Sequence, residues 1–262
     1  MSYALDVQEE AWPLREAFRI SRGAKTEARI VKVTICNDGF VGLGEATPYA
    51  RYGETQESVM QQIEGVRSRI DAGLSAEKLM SLLPAGAARN AVDCAFWDLE
   101  SKKTGTSVLE KLNMPEPVST VTAVTISMGT PAEMGAKAME LSGCPLLKVK
   151  LGNEHILESM QAICQGAPNS KIIIDPNESW SLELLKSVDR DLANMGVAML
   201  EQPLPAGADD GLLGYENLVP ICADEACHTS VDLDRLKGRY QIINIKLDKT
   251  GGLTGALELL KA

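Results

Sequence analysis

Five β-rich runs of this chain close on ionisable residues: Lys148-Val149-Lys150, Asp175, Glu201, Asp224 and Lys246. Three carboxylates gathered in one cleft repel one another, and their pKa values rise unless a cation lies between them. An all-oxygen ligand set favours a hard ion, Mg²⁺ or Mn²⁺, over zinc. Lys148 and Lys150 are two apart on a strand and share a face, while Leu147, Val149 and Leu151 point the other way. A desolvated ammonium has a lowered pKa and serves as a general base near neutral pH. With Lys246 on the sixth strand, nearly diametric to the second, a bound substrate would meet a base on each face. A 1,1-proton transfer with inversion needs that: one lysine removes the α-proton and the other returns one. Loss of a proton beside a carboxylate gives an enediolate, whose charge a divalent cation and Lys148 would stabilise.

Each acid taken alone reads equally as a helix-capping residue at a βα turn. The lysines could also sit solvated on an exposed edge strand. The spacing argues for one site. The strand ends fall at 150, 175, 201, 224 and 246, in steps of 25, 26, 23 and 22 residues. One βα unit of a (β/α) barrel takes about 30 residues, fewer with tight loops, and barrel enzymes draw their catalytic groups from the C-terminal ends of several strands.

The elements that must carry these residues are legible from about Val118 onward. Short apolar runs (Val121–Ser127, Leu146–Leu151, Lys171–Asp175, Val197–Glu201, Pro220–Asp224, Ile242–Lys246) alternate with amphipathic segments. Thr130-Pro131-Ala132-Glu133 and Ser181-Leu182-Glu183 are helix-start signals. This is the pattern of a parallel sheet built from βα units. Six strands are expected, and the sequence stops at Ala262 within the helix after the sixth. The fold class is therefore α/β, with an incomplete (β/α) TIM-like barrel over 118–262. Residues 1–117 read as α+β. Strands Arg29–Cys36 and Phe40–Glu45 flank an Asn37-Asp38-Gly39 turn, and helices follow near Thr55–Ala72, Ser75–Leu83 and Ala87–Lys103.

The hydrophobic fraction of 45% and charged fraction of 24% are those of a globular protein. A net charge of −10, with no basic cluster beyond Lys102-Lys103, argues against nucleic acid as a partner. No apolar run approaches the roughly 20 residues that cross a bilayer. The first residues carry acids where a signal peptide has a basic and then an apolar stretch, so a cytoplasmic protein with no membrane partner is expected. Six cysteines without a CxxC pair read as reduced thiols. The spacing of Cys222, Cys227 and His228 matches no common zinc module.

The runs LLKVKLG (146–152), IIIDPNESW (172–180), AMLEQPLP (198–205), ICADEACH (221–228) and INIKLDKTGGLT (243–254), with AARNAVDCAFWDLE (87–100), resemble the muconate-lactonizing subgroup of the enolase superfamily, and within it the dipeptide epimerases. The resemblance spans essentially the whole chain. It implies a capping domain over 1–117, Mg²⁺ on Asp175, Glu201 and Asp224, acid/base catalysis by Lys150 and Lys246, and electrostatic help from Lys148. Asn177 and Glu225 match polar positions beside the metal ligands. Arg22 falls in a loop that binds the substrate's glutamate carboxylate, though alone it reads equally as a surface residue. Tyr49-Ala50-Arg51-Tyr52 matches the second substrate loop, with Tyr52 and Thr125 facing the substrate. Family members continue through a seventh and an eighth strand, the eighth-strand region carrying an Asp-x-Asp pair for the dipeptide's ammonium, a part absent here. The implied reaction is Mg²⁺-dependent epimerisation of L-Ala-D/L-Glu-type dipeptides. The alternatives are another subgroup reaction (o-succinylbenzoate synthesis, N-acylamino acid racemisation or muconate cycloisomerisation) or a silent fragment that assembles with a second chain by edge pairing or swapping. Oligomeric state stays open.

Overall fold

A computed structural model describes residues 3–20, 22–74, 76–116 and 118–262. Ser75, the expected start of one helix, and Pro117, at the expected division of the chain, lie outside the described residues.

The first sheet is antiparallel, in the order β1 (Ala4–Ile20), β2 (Gly23–Asn37), β3 (Phe40–Ala46). The β2–β3 hairpin closes where expected, at the pair Asn37↔Phe40. Asp38 and Gly39 take the positive φ angles, 52° and 83°, that a two-residue hairpin loop matched to the strand twist requires. The sequence reading did not anticipate β1. Its QEEAWPLREAF stretch has no clean two-residue alternation, because most of the strand faces solvent, and its register breaks between Pro13 and Phe18.

Helix α1 (Gln56–Asp71) starts on a reciprocal cap between Thr55 and Ser58. Helix α2 (Ala76–Leu79) is shorter than the expected segment ending at Leu83, and residues 80–82 run on as turns. Helix α3 (Ala87–Thr104) and the short α4 (Val108–Lys111) follow. Val59, Ile63 and Ile70 of α1 and Ala91, Ala95 and Leu99 of α3 form one core with Val31, Val33 and Ile35 of β2. Gly42 and Gly44 let α3 lie directly on β3: a Cβ at either would collide with the main chain of Ala95 or Ala91.

The second sheet is six-stranded and parallel, in the order β4 (Val124–Ile126), β5 (Leu146–Lys150), β6 (Lys171–Asp175), β7 (Met199–Glu201), β8 (Ile221–Ala223), β9 (Ile242–Ile243). Helices α5 (Pro131–Glu140), α6 (Ile156–Gly166) and α7 (Leu182–Asn194) connect its first strands, and α8 (Leu233–Leu236) precedes β9. Helices α9 (Leu247–Thr250) and α10 (Leu253–Lys261) come last. Leu147, Val149, Ile172, Ile174, Leu200, Ile221 and Ala223 join the core beneath the helices. Their alternate neighbours, the charged residues among them, therefore face the other side. The last strands are shorter than the apolar runs suggested, so Asp224 and Lys246 lie just past β8 and β9.

One face of α3 ties the two sheets' layers together. Arg89 donates to the carbonyls of Thr250 and Gly251, Asn90 to Asp248, and Trp97 to the hydroxyl of Thr254. Asp93 accepts from both the amide and the hydroxyl of Thr254. Gly251 and Gly252, at φ 71° and 102°, make the turn, and a Cβ on either would strike Arg89 or Asp93. The GG of TGGLT is thus the seat on which α3 docks, directly after Lys246. No helix among the described residues is long and apolar enough to cross a membrane.

Candidate active site

Parallel register puts Lys150 of β5 beside Asp175 of β6. Lys150 Nζ donates to Asp175 Oδ2 at 2.5 Å and to Asn177 Oδ1 at 2.9 Å. Asn177 N donates to the other Asp175 oxygen at 2.9 Å. Burial, together with the like charge of Lys148, holds the Lys150 ammonium below its ordinary pKa despite Asp175. Lys148, two residues earlier on the same face, lies 2.9 Å from Asp175 Oδ2 and donates to Glu201 Oε2 at 2.6 Å. Burial pulls Lys148 down too, but two carboxylates outweigh it and its pKa is raised. The expectation that both interior lysines would be depressed is therefore corrected for Lys148: its position between two acids decides the sign.

At the far side of the sheet Lys246 donates to Asp224 Oδ2. Asp224 also pulls the Lys246 ammonium above its ordinary pKa against the effect of burial. Burial alone would raise the Asp224 carboxyl, yet Lys246 and Lys249 bring it down to about 2. Two groups here escaped the sequence reading. Lys249 is buried and donates to Asp224 Oδ1 at 2.7 Å. Asn244 donates to Glu201 Oε1 at 3.0 Å. The signal was available: Asn244 stands two residues before Lys246, as Lys148 does before Lys150, and Lys249 stands one helical turn after it. Gln202, fully buried, was also missed; its Oε1 accepts from the amides of Asp224 and Ala226, each at 2.9 Å.

Segments from the first sheet reach this mouth. Arg22 donates to Glu225 Oε1 at 2.7 Å, to the Tyr49 hydroxyl at 2.7 Å, and to Glu178 Oε2 and the Asn177 carbonyl at 3.0 Å. Arg51 holds Glu178 through two 2.8 Å bonds. Tyr52 is turned against His228, ring centroids 4.5 Å apart, and burial raises its phenol pKa. Thr125 sits one residue before the end of β4, beside Lys148 in register, rather than closing the strand. Asn177, Glu178 and Gln202 all take the left-handed backbone region (φ 49°, 67° and 41°), a concentration of strain in the loops around the lysines. A cleft of about 690 Å³ opens between the hairpin end and the 47–51 loop, lined in part by Phe18, Ile20, Arg22, Tyr49 and Arg51. The Phe18 ring reaches to 6.0 Å from Lys150 Nζ.

Asp175, Glu201 and Asp224 are 1%, 2% and 1% exposed. Among the described residues, no three acidic, histidine or cysteine side chains stand close enough together to hold a metal as they are. Lysine ammoniums reach across from neighbouring strands and neutralise the acids, so the repulsion expected from three carboxylates is met by protein cations. The donor set nevertheless fits a hard divalent ion: all oxygen, buried, and on successive strand ends. Glu225 beside it has a buried oxygen, Oε2, without a hydrogen-bond partner.

Residues 3–112 match the family described as "mandelate racemase / muconate lactonizing enzyme, N-terminal domain", and residues 132–262 match "enolase C-terminal domain-like". The chain is 51% identical over 255 residues to the L-Ala-D/L-Glu epimerase of Escherichia coli (strain K12), covering 97% of this chain and 79% of that protein. It superposes with TM-score 0.95 and 44% identity on an enolase family member from Agrobacterium tumefaciens with homology to dipeptide epimerases, solved with sodium and L-Ala-L-Glu; 98% of this chain and 79% of that one are covered. It superposes with TM-score 0.92 and 28% identity on a dipeptide epimerase from Enterococcus faecalis V583 complexed with Mg and L-Leu-L-Tyr, covering 100% of this chain and 79% of the other. The chain belongs to the enolase superfamily, and its N-terminal part is of the mandelate racemase / muconate lactonizing enzyme type.

Proposed function

We propose that this chain is an isomerase that epimerises dipeptides of the L-Ala-D/L-Glu type by 1,1-proton transfer. The observation that carries the reading is the placement of two lysines on carboxylates four strands apart in one sheet: Lys150 on β5 with Asp175, and Lys246 after β9 with Asp224. The relatives described above, named as dipeptide epimerases, support the substrate class.

Lys150, whose lowered pKa favours the neutral amine, takes the α-proton of the glutamate residue onto Nζ from one face and becomes the ammonium. Lys246 delivers a proton to the other face, and the roles exchange for the reverse epimer. Asn177 orients Lys150 through its side-chain oxygen and Asp175 through its amide. Lys148 stays charged between Asp175 and Glu201 and faces the negative charge that grows on the substrate carboxylate. Arg22 exchanges Glu178 or Glu225 for the side-chain carboxylate of the substrate. Asp175, Glu201 and Asp224 would hold a divalent cation, Mg²⁺ or Mn²⁺, which supplies further charge neutralisation at that carboxylate. Residues 1–117 serve as the capping part and 118–262 as the catalytic part.

The test is direct. With Mg²⁺ and L-Ala-L-Glu, the chain converts substrate to L-Ala-D-Glu, read by chiral chromatography of the hydrolysed glutamate. A folded, Mg²⁺-binding chain that forms no D-glutamate contradicts the proposal.

A further inference from the structure

Lys249 has no part in the proton transfers above, yet it is among the most completely bonded cations of the site. Its side chain is 1% exposed. It donates to Asp224 Oδ1 at 2.7 Å, to the Asp224 main-chain oxygen at 2.5 Å and to the Asn244 main-chain oxygen at 3.0 Å. An ammonium has three protons, and these are three acceptors. They lie on two neighbouring strand ends, past β8 and past β9. Asp224 Oδ2 is left to Lys246. The Asp224 amide is held separately, by Gln202 Oε1 at 2.9 Å.

We propose that Lys249 is a positioning residue: it clamps Asp224 by Oδ1 and main chain so that Oδ2 alone faces Lys246 and the metal position. The proposal rests on the epimerase reading. Lys246 has to leave Asp224 to reach a substrate proton. When it does, Asp224 would be left with neither of these two protein cations if Lys249 were absent. With Lys249 in place the carboxylate keeps one cation and its orientation throughout. Lys249 also ties the Asn244 carbonyl, and so fixes the chain two residues before Lys246 relative to Asp224. An apolar side chain at 249 would take the Lys249 donor from the Asn244 carbonyl and from the Asp224 carbonyl, which keeps the Cys227 amide, and would make Lys246 the single protein cation on Asp224. Lys246 would then stay pinned, and the face it serves would suffer most.

The experiment compares Lys249→Met, Lys249→Gln and Lys249→Arg with the wild type in two measurements. The first is Mg²⁺ binding by calorimetry without substrate. The second is α-proton exchange in D₂O from L-Ala-L-Glu and L-Ala-D-Glu separately, with Lys246→Ala identifying the epimer that depends on Lys246. Residues that orient metal ligands are worth about 10–100-fold in affinity or activity. Lys249→Met is expected to weaken Mg²⁺ binding by that factor and to slow exchange from the Lys246-dependent epimer at least tenfold more than from the other. Lys249→Arg is expected to recover part of both. Should the methionine variant not fold, Lys249→Gln, which keeps a donor, carries the comparison. Unchanged Mg²⁺ affinity with equal loss from both epimers overturns the proposal, as does a wild type that binds no Mg²⁺. A wild type that binds Mg²⁺ but exchanges neither epimer sinks the epimerase reading, while the affinity ratio still reports on Lys249.

Discussion

Lys148 and Lys150 both reach the same oxygen, Oδ2 of Asp175, at 2.9 Å and 2.5 Å. Two ammoniums on one acceptor cannot be equivalent. Lys148 has a second carboxylate, Glu201, and its pKa is raised; Lys150 has the neutral Asn177 besides and is depressed by burial and by Lys148. On the proposed reading, this difference divides two lysines two residues apart into a cation and a base.

This division predicts a pH effect. The charge of Lys148 lowers the Lys150 pKa, so removing it in Lys148→Met raises that pKa. Exchange that requires neutral Lys150 should then rise at higher pH than in the wild type. The profile of exchange rate against pH, measured on the Lys150-dependent epimer, checks the sign. A profile moved to lower pH counts against the assignment.

Asp224 predicts an acid limb of stability. Its folded pKa, about 2, is below the 3.8 of an unperturbed group. Its contribution is thus complete above 3.8 and is lost as pH falls toward 2, because the unfolded chain takes up the proton first. The difference corresponds to about 2 kcal/mol. Denaturant titrations across this range should show the loss in the wild type. Asp224→Asn should be less stable at neutral pH, since it leaves Lys249 without its counter-charge, and flatter over the acid range.

The seat of α3 predicts a stability effect with no direct role in proton transfer. Asp93 is fully buried and accepts two bonds from Thr254. Asp93→Ala leaves those part-buried donors unpaired, at no more than about 1–3 kcal/mol each. A melting temperature lower by several degrees is expected, at roughly 2–4 °C per kcal/mol. An unchanged melting temperature would show that the α3 contact contributes little.

Much of this was readable from the chain. The steps between charged strand ends anticipated six parallel strands and brought Lys148, Lys150, Asp175, Glu201, Asp224 and Lys246 to one mouth, because strand alternation and βα length are local properties. The Asp38-Gly39 turn was legible for the same reason. What escaped depends on contacts distant in sequence. β1 forms a strand by pairing with β2, while its own pattern is polar on most positions. The polar face of α3, Arg89, Asn90 and Asp93, looks like an exposed stripe until the turn at 250–254 is placed against it. Lys249 looks like a surface lysine on a short helix, and only the positions of Asp224 and Asn244 show that it is buried. The sign of the Lys148 shift needed both acids in space.

On the proposed reading, Lys150 and Lys246 serve opposite faces of one α-carbon. This is tested most directly by α-proton exchange in D₂O, followed by NMR for L-Ala-L-Glu and L-Ala-D-Glu separately, in Lys150→Ala and Lys246→Ala. General bases of this kind contribute about 10²–10⁴-fold. Each variant is expected to lose exchange from one epimer by at least that lower factor and to retain it from the other, with the two variants affecting opposite epimers. Loss from both epimers to the same extent in either variant would contradict it.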